Sequence, residues 1–371
     1  KLRYSYGVTG NISFPSYQAI TTYTYNQDNY YLHGMGAVPK QMGNKDLTWQ
    51  STKTHNIGLN ADFLDSRFSL TFDYYIKNTS NLLTPVTLPP SAGFSSYTEN
   101  LGKSQNKGFE LQASVRAINN SDQDLHLNVF ASLMHNTNKI KEINEALSSM
   151  NDSKDSDKGL NYDQDTKEKT TKPSVRYAEG QSMSAIWAVR SLGIDPGTGN
   201  ELFLTKDGDL TYTWDSDDQV VCGDELPKYT GTFGFNLDWK GFSVNTSFYY
   251  RLGGQMYNQT LVDKVENCDM NYNVDHRVYT GRWTTPGQKA EFKKMTDPNY
   301  FTRPTSRFVQ DLSELQMTSL NIGYDFRNCK FMQKGIIERL KLSFYMNDVF
   351  RLSTVKTERG TDYPFARSFS F

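Results

Sequence analysis

Leu47–Asn78 reads LTWQSTKTHNIGLNADFLDSRFSLTFDYYIKN. Leu47, Trp49, Ile57, Leu59, Ala61 and Phe63 share one parity, and Thr48, Gln50, Thr52, Thr54, Asn56, Asn60 and Asp62 share the other. After Asp65-Ser66 the alternation resumes, with Phe68, Leu70, Phe72, Tyr74 and Ile76 set against Ser69, Thr71, Asp73 and Lys77. A side-chain period of two predicts two long β-strands joined by a tight turn, each apolar on one face and polar on the other. The polar face is too polar for the inside of a sandwich. In a transmembrane β-barrel the same pattern means lipid outside and a wet lumen inside.

The whole chain agrees with this reading. Its 371 residues carry a net charge of −1, are 37% hydrophobic and have a mean hydropathy of −0.65. That composition is poor for a large dry core. Yet there are 23 Tyr and 22 Phe, as expected where only alternate residues meet lipid. No apolar run is long enough for a transmembrane helix. The near-neutral charge gives no sign of nucleic-acid binding. An outer-membrane barrel needs an export signal and none opens this sequence, so the chain reads as a piece of a longer protein.

The same alternation marks strands at Leu2–Val8, Phe109–Ala117, Leu125–Leu133, Ala185–Leu192, Glu201–Lys206, Phe233–Trp239 and Phe242–Leu252, then Leu312–Phe326, Leu340–Met346 and Phe365–Phe371. Near Leu312–Phe326 the apolar parity switches from Leu315 and Met317 to Leu320 and Ile322, which predicts a β-bulge close to Ser319. Short links at Asp65-Ser66, Ile118–Asp124, Asp195–Asn200, Lys240-Gly241 and Arg327–Arg339 alternate with long ones. Outer-membrane barrels separate short periplasmic turns from long extracellular loops in this way. The expectation is an all-β fold, an antiparallel transmembrane β-barrel segment of about twelve strands, with Asn11–Asp46 wholly extracellular and Gly208–Lys228 a loop.

Several motifs in order resemble the C-terminal part of SusC/RagA-type TonB-dependent outer-membrane transporters. They include KLRYSYGVTGN (Lys1–Asn11), the Leu47–Leu83 hairpin, GFSSYTENLGKSQNKGFEL (Gly93–Leu111), GIDPGTGNELF (Gly193–Phe203), Gly223–Asn258, RWTTPG (Arg282–Gly287), LKLSFYMNDVF (Leu340–Phe350) and YPFARSFSF (Tyr363–Phe371). In Val309–Tyr324 the pattern departs: the family usually has Gly where Leu312 stands and an aromatic where Glu314 stands. The resemblance implies residence in the outer membrane of a Gram-negative bacterium, within a barrel of about 22 strands. It implies TonB-energised import of a nutrient such as a glycan or oligopeptide, and no enzymatic activity or cofactor. The implied partners are a SusD-like surface lipoprotein, TonB contacted through an absent N-terminal part, the N-terminal half of the barrel, and outer-membrane lipid. The alternatives are a soluble β-rich glycan-binding protein and a plain adhesin or passive porin. Loop segregation argues against the first and the ordered motifs against the second.

Candidate site residues are few. His126 and His135 flank one strand and read as lumen-side polar residues rather than general bases. Asp152–Asp157 and Asp215–Asp218 lack the spacing of a calcium loop and read as solvated segments. No Cys or His spacing supports a metal. Trp214, Tyr257 and Trp283 fall on expected extracellular loops, where aromatics either contact substrate or pack loops together. Cys222 and Cys268 fall on neighbouring loops and could form a disulfide, whereas Cys329 falls on a periplasmic turn.

Overall fold

The computed structural model describes residues 1–11, 19–31, 34–87, 94, 96–100, 102–144, 148, 151, 171–269, 271–295, 301–328, 340–356 and 368–370. Asp152–Asp157, Cys329, Phe365 and Phe371 lie outside them. In chain order the strands are β1 (Leu2–Asn11), a hairpin of β2 (Thr22–Tyr31) and β3 (Gly34–Gln41), β4 (Gln50–Phe63), β5 (Phe68–Ser80), and a second hairpin of β6 (Leu83–Thr87) and β7 (Ser96–Asn100). Then come β8 (Gly102–Asn120), β9 (Leu125–Ile143), β10 (Ala185–Ile194), β11 (Glu201–Leu204), β12 (Leu210–Thr211) and β13 (Gln219–Asp224). Last are β14 (Tyr229–Trp239), β15 (Phe242–Tyr257), β16 (Val309–Asp325), β17 (Lys341–Ser353) and β18 (Ser368–Ser370).

Ten of these form one antiparallel sheet in the order β1-β4-β5-β8-β9-β14-β15-β16-β17-β18. Its register carries the alternation from strand to strand. Leu2 faces Leu59, Leu59 faces Phe72, Phe72 faces Leu111 and Leu111 faces Leu133. One residue along, Arg3 faces Gly58 and Gly58 faces Asp73. A Cβ at Gly58 would come within 2.8 Å of Arg3 Nη2, so the missing side chain leaves room for the Arg3–Asp73 ion pair at 3.1 Å. The apolar row stays uncovered among the described residues: Leu2 is 76% exposed and Leu59 40%. An apolar surface of that extent marks a contact with a non-aqueous phase or a partner. A sheet with one apolar and one polar face and, among the described residues, no second layer on the apolar face has the pattern of a barrel wall in lipid and not of a sandwich half.

The sheet's connections sort by end. Residues 64–67, 121–124 and 240–241 close short turns at one end, and 12–49, 81–101, 144–228 and 258–308 run between strands at the other. Leu64, Asp65 and Ser66 all have positive φ, so the first turn is a four-residue left-handed corner rather than a two-residue one. The bulge expected near Ser319 is present. Phe248 faces Met317 and Ser247 faces Ser319, which leaves Thr318 as the extra residue. Its hydroxyl donates to Ser247 O at 3.0 Å.

Two expected membrane strands belong elsewhere. Ala185–Ile194 and Glu201–Leu204 join a separate four-stranded sheet, β12-β11-β10-β13, so the long sheet has ten described strands rather than twelve. Gly208–Lys228 is likewise no plain loop, since it supplies β12 and β13. The apolar residues of β10 face a protein core: Ile186, Ala188 and Val189 are buried. Periodicity reports that a strand has an apolar face, not what that face meets. Because the misplaced strands came as a pair, the alternation of loop lengths survived the error. The turn 195–200 therefore lies at the long-loop end.

Leu70→Arg or Phe235→Arg should cost about 2–4 kcal/mol near the bilayer midplane, whereas Thr71→Arg or Asn236→Arg should cost far less. Folding titrations of the full-length protein into lipid vesicles read the difference, and equal costs on both parities would overturn the lipid-facing assignment.

Candidate functional site

The buried core of the described residues sits above the sheet, not within it. Residues 171–228 and 258–308 supply it, and both leave the sheet at the long-loop end. Val262, Val265, Val278, Phe292 and Phe308 form its apolar centre, with Tyr257, Leu261, Cys268 and Val274 packed against them. Asn258 starts the first helical turn by accepting from Leu261 N at 3.0 Å, satisfying an otherwise orphaned donor.

Two sequence motifs meet in this module. In DPGTGN (Asp195–Asn200), Asp195 accepts from Gly197 N at 3.0 Å, Thr198 Oγ1 at 2.7 Å and Tyr212 Oη at 2.9 Å. These bonds favour the ionised carboxylate, the Thr198 hydroxyl most strongly, and hold the Asp195 pKa below its ordinary value. Trp283 of RWTTPG lies on this turn. Its Nε1 donates to Pro196 O at 2.9 Å, and a Cβ on Gly199 would stand 2.4 Å from Trp283 Cδ2. Gly199 also has φ +71, so glycine is required there twice over. The neighbouring Arg282 is 4% exposed and donates to the carbonyls of Val265, Glu266, Val278 and Lys293.

A buried ionic node fastens this module to the barrel wall. Arg307 lies in the helical turn Ser306–Phe308 that leads into β16, and its Nη2 lies 2.9 Å from Glu201 Oε2 and 2.6 Å from Glu266 Oε1. Arg307 Nη1 donates to Glu291 O at 2.7 Å, and its guanidinium stacks 4.4 Å from the Phe308 ring centroid. Burial opposes the charge on Arg307, but the Glu201 and Glu266 carboxylates hold its pKa above the usual arginine value. Nearby, burial pushes the Lys293 ammonium down to about 8, against the raising influence of Glu266 and Glu201.

Beneath the module, on the polar face of the sheet, a second charged group lines a cleft of about 290 Å³. Glu314 faces Arg251 across β15 and Ser353 across β17. Arg251 Nε donates to Glu314 Oε2, and Arg351 donates to Oε1 from Nε at 2.8 Å and again from Nη2. Glu314 is 8% exposed, while Met256, Leu312 and Lys356 complete this part of the wall. The sequence does not bring the three charged residues of this group together, because they lie 63 and 37 residues apart and meet only through register.

The residues expected to form a site are dispersed. Trp214 Nε1 donates to Pro304 O at 3.0 Å and Arg303 stacks on its ring at 4.9 Å. Tyr257 packs edge-on against Phe308 at 6.1 Å, and its hydroxyl is buried. Trp283 sits on the 195–200 turn. All three make packing contacts within the module, and none of them lines the clefts found among the described residues. Neither Cys222 nor Cys268 forms the disulfide considered above. Cys222 Sγ donates to Ala188 O within the four-stranded sheet, whereas Cys268 packs against the apolar cluster. Burial pushes both thiols up. His126 bonds Asn119 near the start of β9, and His135 bonds Lys228 O from the middle of that strand. Asp215 caps a helical turn and Asp218 accepts from Lys206 N, so this acidic run shapes a loop. Among the described residues no His, Cys, Asp and Glu group could hold a metal.

Residues 1–166 match the family model described as TonB dependent receptor-like, beta-barrel. "TonB-dependent receptor P3" of Formosa agariphila is 27% identical over 361 residues, covering 92% of this chain and 34% of that protein. "TonB-dependent receptor SusC" of Bacteroides thetaiotaomicron is 23% identical over 344 residues, covering 88% of this chain and 32% of that protein. The chain thus spans about a third of the length of the curated relatives it matches. Among solved structures, the RagAB peptide transporter aligns with a TM-score of 0.74 and 22% identity, covering 95% of this chain and 37% of that one.

Arg307→Ala should destabilise the module by about 3–5 kcal/mol, since it leaves two carboxylates buried without their cation. The Glu201 and Glu266 side chains are only 4% and 0% exposed, so water cannot take the place of the lost guanidinium. Amide hydrogen exchange at Val262 and Val278 in the full-length protein checks this, and unchanged protection would refute the coupling. Thiol counts under denaturing conditions should be equal with and without prior reduction.

Proposed function

From a chain whose first 166 residues match the TonB-dependent receptor β-barrel, we propose that the whole protein imports a nutrient across the outer membrane, energised through TonB. Such receptors are non-enzymatic outer-membrane proteins of Gram-negative bacteria, and this chain supplies part of the barrel wall and of its outer face. The observation that carries the reading is the ten-stranded sheet, apolar on one face and polar on the other, with the buried apolar core of the described residues gathered at the long-loop end. A barrel wall needs no such module. A cargo-selecting mouth does, because selective sites need side chains held by packing.

The similarity to SusC and to the RagAB peptide transporter supports an oligosaccharide or oligopeptide as cargo and a SusD-like lipoprotein as the lid over the module. The remaining barrel strands and the TonB contact belong in this reading to the rest of the protein. The exposed edge of β1 fits such an arrangement: a strand edge in lipid must find a partner for every backbone N–H and C=O. Within the mouth, Trp214 and Trp283 are each half-buried and offer the uncovered part of their rings to cargo. Tyr257 contributes from below, as packing.

Cells expressing the full-length protein should take up labelled oligopeptides or oligosaccharides. Uptake should vanish when TonB is deleted or the proton-motive force is collapsed. Uptake that persists in both conditions would indicate a passive pore and overturn the reading.

A further inference from the structure

The cleft around Glu314 holds more hydrogen-bonding capacity than it uses. We infer that it is a cargo subsite for the carboxylate of a peptide, with Arg251 and Arg351 as the groups that bind it. This rests on the import reading and names the cargo class at one place in the mouth.

Three observations lead there. First, the donors are left over. Arg251 contributes only Nε to Glu314, and Arg351 contributes Nε and Nη2, so both Nη groups of Arg251 and Nη1 of Arg351 have no protein partner among the described residues. A guanidinium presents five N–H donors in a fixed fork, and its best partner is a carboxylate bound by two parallel bonds. Second, the arginines are fixed in place. Glu314 is 8% exposed and takes bonds from both, so each guanidinium is oriented before cargo arrives. Pre-set donors bind more tightly because the ordering cost is already met. Third, the walls suit a peptide better than a sugar. Met256, Leu312 and Val355 give an aliphatic and thioether surface, and among the described residues no aromatic ring lines the cleft on which a pyranose could stack. Lys356 adds a third cation, while Glu225 stands at the edge and is exposed. Cations therefore outnumber carboxylates in the lining, and one of the two carboxylates is already engaged.

The position is right for such a role. Arg251, Glu314 and Ser353 stand opposite one another across β15, β16 and β17, at the end of those strands from which residues 258–308 leave. Cargo passing the module would meet the cleft on the polar face of the wall.

The experiment uses the purified full-length receptor and a family of N-acetylated alanine- and leucine-containing pentapeptides, each prepared with a free C-terminal carboxylate and as the C-terminal amide. Trigalacturonate serves as an acidic sugar. The free acids should bind about tenfold tighter than the amides, as a charge-assisted bidentate contact predicts. Arg351→Gln should erase that preference. Arg251→Lys keeps a cation beside Glu314, so the fold survives, and it should narrow the preference by removing the fork. Glu314→Gln should widen it several-fold, because an internal competitor for the guanidinium groups is gone. A merely structural role for the triad would not tighten the free acid. Equal binding of acids and amides overturns the subsite while leaving the import reading intact. Trigalacturonate bound in preference to every peptide overturns the peptide assignment. Cells that import neither cargo class fail the import reading itself, and the subsite falls with it.

Discussion

The rule that no backbone N–H or C=O can go unpaired in lipid sets the terms for everything else in this chain. An unsatisfied group in a bilayer costs several kcal/mol, so the strands must hydrogen-bond to neighbours along their whole membrane length. Long, matched registers follow, such as the thirteen pairs from Ser51–Ser80 to Phe63–Phe68. Once the ladder is fixed, side chains can only alternate, and the alternation becomes the sequence signal. The bulge at Thr318 obeys the same rule. The extra residue breaks the ladder locally, and the threonine hydroxyl takes up the Ser247 carbonyl.

Outside the membrane the constraint changes. Water can satisfy backbone groups there, and structure depends on burying apolar surface and pairing buried charge. The module at the long-loop end does both. Arg282 clasps the carbonyls of Val265, Glu266, Val278 and Lys293. Arg307 connects Glu201 of the small sheet, Glu266 of the helical turn and the start of β16 in one contact. A buried ion pair is weak evidence of net stability, because desolvation offsets much of its attraction. Its effect here is to fix one arrangement, since any slippage of the loops would strand a charge in an apolar surround.

The sheet was legible in the sequence because its information is local. Leu59, Phe72 and Leu111 each declare their face within their own strand, and the parity switch between Met317 and Leu320 declares the bulge. The strands at Ala185 and Glu201 were misplaced because an apolar face packed on protein and one packed on lipid have the same period. The turn 195–200 could be seen as a motif, but its seat under Trp283 could not. Least legible was the Arg251–Glu314–Arg351 group, which exists only after β15, β16 and β17 have found their register. One trace of it was visible: Leu312 and Glu314, both in the cleft wall, are the positions where the chain departs from the family pattern.

The hairpin β14–β15 divides the loop module into two halves, 171–228 before it and 258–308 after it. Two stretches separated in this way are distant partners until the hairpin closes. Once Lys240 and Gly241 turn the chain and Tyr229 pairs with Leu252, the two halves are delivered to the same place. Loop closure is then largely complete before the module's own contacts form, so little entropy remains to be lost. Loop-closure entropy then favours an order in which the wall zips before the outer face condenses on it. The part that would meet cargo is thus held by contacts that depend on a wall already built, the cluster of Val262, Val265, Val278, Phe292 and Phe308.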